Sequence, residues 1–244
     1  MVKELCWICN FNDANSNEHM FKKSDIKQHT GFSKISKMFR SINFGRKFPI
    51  QGIKSKDFCF QTQICTHCNN SATQPYDRAW EILSAYLYDN FETLKSKGFF
   101  NPVDVFPENT DLMMRRVHLY FCKFIGCYFK DGNLPINNKI NFKLSDLSNS
   151  LIHEKNNPLI FLNFGYNTRI RKDMVHMQSN DIYVEIHKAN NLPIRASTFY
   201  SVGRVVVGVA YRDTGNYLLD WWNPLGSHNS ILFNNLTKYI PSIK

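Results

Sequence analysis

Apolar residues fall along this chain in two regimes. Up to about residue 152 the longer runs repeat at helical spacing; after Pro158 they come in short β-branched and aromatic runs cut by Asn, Asp, Gly and Pro. In the first regime Trp80, Leu83, Tyr86, Leu87 and Phe91 share one face. That spacing predicts an amphipathic helix capped by Asp77, running to about Lys97 and ended by Gly98. A shorter helical segment starts near Asn69 and is interrupted at Gln74-Pro75. Leu112 to Phe129 is apolar on most faces and predicts a buried helix despite Gly126. Phe142 to Ile152 predicts a third helix, and Phe99 to Asp111, with two prolines, a surface crossing. In the second regime strands are expected at Leu159–Phe164, Ile182–His187, Thr198–Tyr211 and Tyr217–Trp222, the last two joined by a hairpin turn at Asp213-Thr214-Gly215-Asn216. Two further short strands, Glu18–Lys22 and Phe58–Ile64, precede the helices. The fold class is α+β: a small N-terminal module, a helical middle, and a C-terminal, mostly antiparallel sheet.

Between the two early strands the pattern weakens. Residues 33 to 56 carry Lys34, Lys37, Arg40, Arg46 and Lys47 with no acidic residue from Ser33 to Lys56. Ile35, Met38, Phe39 and Ile42 have helix-like spacing there, broken by Gly45, Pro49 and Gly52. Two readings stand side by side: a solvated lysine-rich loop, or a phosphate-contacting insertion in which basic and aromatic residues interleave.

Charge leaves both readings open. The chain has 244 residues, a formal net charge of +10 and a pI near 9.2, a balance that suits a polyanion or an anionic membrane surface. The longest apolar stretch, Val117 to Phe129, is too short to span a bilayer and contains Lys123, so no membrane is expected. The first six residues lack the apolar run of a secretory signal, so a reducing, cytoplasmic compartment is expected. In such a compartment paired cysteines favour metal over disulfide.

Four of the seven cysteines are so paired: Cys6 with Cys9, and Cys65 with Cys68. Two Cys-x-x-Cys turns present four thiolates, which closes a tetrahedral Zn²⁺ site and leaves no position for substrate, so this zinc is structural. Cys59, Cys122 and Cys127 read as buried small apolar residues. Glu18-His19 lies between the two pairs, and Asn69 directly follows the second. A carboxylate and a carboxamide are oxygen ligands for Mg²⁺ or Mn²⁺, with Asn70 as the alternative to Asn69, and a histidine beside them can take a proton from water. Neighbours on a regular strand face opposite sides, so the strand must end or bulge at residues 18 and 19. Elsewhere, His67 reads as a solvent-facing spacer and Arg78 as exposed; His118, His153, His176 and His187 read as structural. Ser201, Gly203 and Arg204 form no nucleophile elbow.

Over about residues 6 to 80 these motifs resemble the HNH, or ββα-metal, endonuclease family. Its zinc-clamped members carry Cys-x-x-Cys, an acidic residue followed by His, then Cys-x-x-Cys followed by Asn or His; the run Cys-Asn-Asn-x-x-Thr-Gln-Pro-Tyr-Asp at 68 to 77 is similar to an Asn-Asn subgroup of bacterial members. The resemblance implies that His19 is the general base, that Glu18 and Asn69 hold the catalytic ion, and that Cys6, Cys9, Cys65 and Cys68 hold zinc. It implies a metal-dependent DNA endonuclease leaving 5′-phosphate and 3′-hydroxyl ends, in a bacterial or phage defence or restriction setting. The chain departs from the family in having Gln61 and Gln63 where an orienting Asn is usual, and only Thr30-Gly31 for a glycine pair. A nuclease domain over 1–98 and an α+β domain over 99–244 are expected, the latter recognising the target, contacting a protein partner or forming a homodimer. The alternative is a non-catalytic, zinc-stabilised nucleic-acid-binding protein.

Overall fold

The computed structural model describes residues 4–30, 39–41, 47–49, 55–131, 143–170, 177–179, 182–186, 193–212, 220–226 and 229–240. Among these, helices and strands mix as the α+β expectation requires. The N-terminal module pairs β1 (Ser16–His19) antiparallel with β4 (Cys59–Ile64), and α1 (Lys23–Thr30) follows β1 directly. On β4, Phe60, Thr62 and Ile64 point inward while Gln61 and Gln63 face out, the period-2 alternation of a half-buried strand. Residues 39–41 and 47–49 form a small antiparallel ladder, β2 with β3, so the helix-like spacing around Phe39 is overridden by strand pairing. Lys34, Lys37 and Arg46 lie outside the described residues, and for Arg40 and Lys47 only their place in this ladder is described.

A wide helical turn at Cys68–Ala72 leads into α2 (Gln74–Asp89), where Pro75 sits in the first turn rather than ending a helix. The expected single helix to Lys97 is broken at Asn90, and α3 (Phe91–Lys97) ends at Gly98 with φ 77°, a left-handed cap. Asp77 is no cap; it is buried within α2's first turn. The crossing at 99–111 contains β5 (Phe99–Phe100) and α4 (Pro102–Val105). Next come α5 (Thr110–Lys130) and α6 (Leu144–Ile152).

The C-terminal part is a six-stranded sheet. Its order is β12 (Asn234–Asn235), β6 (Ile160–Tyr166), β10 (Val205–Arg212), β9 (Pro193–Val202), β7 (Met177–Ser179), with β8 (Tyr183–Ile186) also on β9. All pairings are antiparallel except β12 with β6. The run expected as one strand, Thr198–Tyr211, is instead a hairpin turning at Gly203, φ 55°. A two-stranded ladder pairs β11 (Ile231–Leu232) with β5. Trp222 forms only an isolated bridge to Leu162, and the turn at 213–216 lies outside the described residues.

One apolar cluster joins the two parts, from Trp7 and Ile64 through Trp80 and Tyr120 to Tyr200 and Val207. Helix α5 runs through its centre, with Val117 through Cys127 buried. Gly126 is explained by the fit: the benzene edge of Trp7, between the first two cysteines, comes so close that a Cβ there would overlap the indole. Trp80 stacks on Tyr120 at 5.7 Å and 10°, and Tyr200 from β9 meets both edge-on. Among the described residues no helix is long and apolar enough to cross a membrane.

His118 is fully buried in α5; its Nε2–H donates to Ile160 O at 3.0 Å and its Nδ1 lies 3.7 Å from Cys122 Sγ. Burial pulls its pKa down to about 4. The folded value lies below the unfolded one, so the unfolded state binds the proton first and stability is lost as pH falls from about 6.5 toward 4. Urea midpoints measured across that window should fall with pH, and His118→Gln should flatten the slope. An unchanged slope in the variant would remove His118 from the account.

Candidate metal centre and adjoining cleft

The first cysteine pair sits on a tight turn. Asn10 N donates to Cys6 O at 2.7 Å with Asn10 in the left-handed region, φ 50°, and Cys6 N donates to Asn12 O. The second pair sits where β4 runs into a helical turn, closed by Asn69 N to Cys65 O at 3.0 Å. Pairing of β1 with β4 brings the two turns together. The four sulfurs of Cys6, Cys9, Cys65 and Cys68 all lie within 4.8 Å of one another, and Cys9 Sγ is 3.8 Å from Cys65 Sγ. Tetrahedral thiolates at Zn–S of about 2.3 Å stand about 3.8 Å apart, so the cluster is able to hold a metal ion and is compatible with zinc. Asn12 N, Asn12 Nδ2 and Cys68 N point N–H donors at these sulfurs, at 3.5, 3.7 and 3.3 Å. The thiol of Cys68 donates to Cys6, which holds Cys6 down to about 4 and pushes Cys68 up. Four crowded sulfurs cannot all ionise without a cation among them.

A cleft of about 940 Å³ opens beside this clamp, lined by Glu18, His19, Asn69, Asn70, Lys23 and Arg78 among others. The ladder is irregular where the sequence requires it: the β1–β4 register shifts between Asn17 and His19, with the extra residues on β4, and Glu18 and His19 both line the opening. His19 is half-buried and stands opposite Cys59 in the ladder, its Nδ1 3.7 Å from Cys59 Sγ. Burial, then the charges of Lys23 and Lys22, lower its pKa to about 4, so the imidazole is neutral at neutral pH. Asn69 Nδ2 donates to Ser16 Oγ at 2.9 Å and Asn17 O at 3.0 Å, which fixes its carboxamide against β1. Asn70, His67 and Arg78 are exposed.

Glu18 departs most from expectation. It is 4% exposed, and its Oε1 accepts from Lys123 Nζ at 2.9 Å. Lys123, 1% exposed on α5, also reaches Asp77 Oδ1 at 2.8 Å and Thr73 Oγ1 at 3.1 Å, while Lys22 Nζ meets Asp77 Oδ2 at 2.5 Å. Burial pushes the Lys123 pKa down, but Glu18 and Asp77 push it further up, so the ammonium stays charged. A divalent catalytic ion does not fit this donor set as it stands. The one carboxylate expected to hold it already neutralises an ammonium, and the remaining expected ligands are neutral amides.

Several participants escaped the sequence reading: Lys123, Thr73, Lys22, and Cys59, which is half-exposed beside His19 rather than buried. The signal for Lys123 was present, a lone lysine inside an apolar helical run. Gln61 and Gln63 face solvent, Gln63 Nε2 donating to Asn17 Oδ1 at 2.9 Å, so neither orients His19.

Lys123→Met should leave Glu18 as an unbalanced buried carboxylate, while Asp77 keeps Lys22, and cost about 3–5 kcal/mol. Denaturant unfolding of variant and parent checks this; a loss below about 1 kcal/mol would show that the network is solvated. No family model matches this chain, and neither a curated protein nor a solved structure does.

Proposed function

We propose that the chain is an endonuclease of the HNH kind, hydrolysing phosphodiester bonds in DNA, with zinc as the structural metal of Cys6, Cys9, Cys65 and Cys68. One observation carries the reading: the register shift between β1 and β4 and the cysteine clamp bring His19 and Asn69 to one cleft beside four convergent thiols. In the tautomer whose Nδ1–H points at Cys59 Sγ, 3.7 Å away, the Nε2 lone pair of His19 is left for the proton of an attacking water. Lys23 and Arg78 at the cleft suit a phosphate backbone.

A second reading is favoured by Lys123. With Glu18 already balanced and Gln61 and Gln63 facing out where an orienting Asn is usual, the same module serves as a zinc-stabilised nucleic-acid-binding protein without chemistry.

Purified protein should contain one zinc per chain, and chelation at neutral pH should unfold it. Supercoiled plasmid incubated with Mg²⁺ or Mn²⁺ should be nicked. His19→Ala should slow nicking about 10²- to 10⁴-fold while zinc content and unfolding midpoint stay at parent values. Nicking by His19→Ala at the parent rate would overturn the base assignment. Tight DNA binding with no nicking under either ion would establish the second reading instead.

A further inference from the structure

The sheet has a second concavity on the face turned away from α5. Strand β9 divides its side chains between the two faces: Tyr200 points into the shared core, and Phe199 belongs to a separate small cluster with Val206, Leu236 and Ile240. On that second face Arg195, Ser197 and Phe199 alternate along β9. Glu185 and Tyr183 of β8 stand directly across from Arg195 and Ser197. With Trp221 these residues line a pocket of about 460 Å³.

Its walls are flat. Gly208 of β10, paired with Phe199, has no side chain, and the Trp221 indole lies over it; a Cβ there would come within 2.9 Å of the ring. The guanidinium of Arg195 stacks on that indole, 4.9 Å from the ring centroid. Among the described residues the buried Nε of Arg195 has no hydrogen-bond partner. A planar cation on a planar ring, with a donor lacking an acceptor, sits opposite a carboxylate and a hydroxyl. This suits a flat ring whose edge carries both acceptors and donors.

We propose that this pocket takes an unpaired nucleobase of a single-stranded nucleic acid, the base lying along the Trp221–Arg195 stack with its polar edge toward Arg195, Glu185 and Ser197. The net charge of +10 favours a polyanionic strand as the bearer of that base over a free neutral ring. A base inside a duplex cannot enter, because its faces are already stacked. The proposal rests on the nucleic-acid part of the reading above and not on its chemistry.

The test uses the full chain carrying His19→Ala, in the absence of divalent ions, so that nothing depends on cleavage. Anisotropy of a labelled single-stranded dodecamer and of the matching blunt duplex is measured against protein concentration. Trp221→Leu should weaken single-strand binding about 5- to 150-fold and leave duplex binding within about twofold. Arg195→Lys keeps the charge but loses the planar stack, and should weaken the single strand alone. Equal losses for strand and duplex, or no loss in either variant, would overturn the proposal. So would dTMP binding as tightly as the dodecamer, which would assign the pocket to a free nucleotide. If the parent protein fails to nick plasmid while the single-strand preference and its dependence on Trp221 hold, the nuclease reading falls and this one stands.

Discussion

A buried ammonium fixes how the parts of this protein meet. Lys123 brings one positive charge into the core from α5, and Glu18 of β1, Asp77 and Thr73 at the start of α2 close around it. Removing such an ion from water costs several kcal/mol, and only convergent partners offset that. Lys22, on the far oxygen of Asp77, balances the second carboxylate, so two ammonium groups face two carboxylates. The members come from three stretches of the chain, 18–22, 73–77 and 123, so the ammonium has all its partners only once the three have met. The charge that balances the first motif comes from residue 123, outside the first 98 residues.

A third buried carboxylate extends the same logic toward the sheet. Asp25 of α1 accepts from Trp80 Nε1 at 2.9 Å, Ser84 Oγ at 2.7 Å and the hydroxyl of Tyr200. Burial raises its pKa while the three donors pull it down. The oxygen of Tyr200 in turn accepts from Lys22 N at 3.4 Å, at the end of the segment that carries His19. Strand β9 therefore braces the back of the cleft with one face and carries the aromatic pocket on the other. Pressure from the clamp side is met too: Ser148 Oγ of α6 donates to Ile8 O at 2.5 Å, and Asp131 after α5 accepts from Gln61 N and Thr62 N of β4.

Much of the local structure was legible because it is periodic. The α5 and α6 helices and the strands β4, β6 and β8 follow from apolar spacing, and the cysteine clamp from two identical short spacings. The register shift before His19 followed from geometry, since two adjacent residues cannot face one site from a regular strand. Helix α1 was invisible because Lys23–Thr30 is mostly polar and is held by Asp25 and Ile26 rather than by an apolar stripe. Asp77 looked like a cap because capping and buried ion pairing use the same side chain, and only the arrival of Lys123 tells them apart. Long-range charge pairing leaves no periodic trace in sequence.

The two functional readings differ in what balances Glu18. If the carboxylate stays with Lys123, the clamp presents His19 and two asparagines to the cleft, Glu81 is an exposed carboxylate on its wall, and Lys23 and Arg78 are there to meet a phosphate. If a divalent ion is to share Glu18, the ammonium must give up one of its three oxygen partners, yet Asp77 and Thr73 would still hold it. That second state keeps the lysine charge balanced by Asp77 and sets it beside a metal, so repulsion between the cations would have to be offset by the substrate phosphate itself.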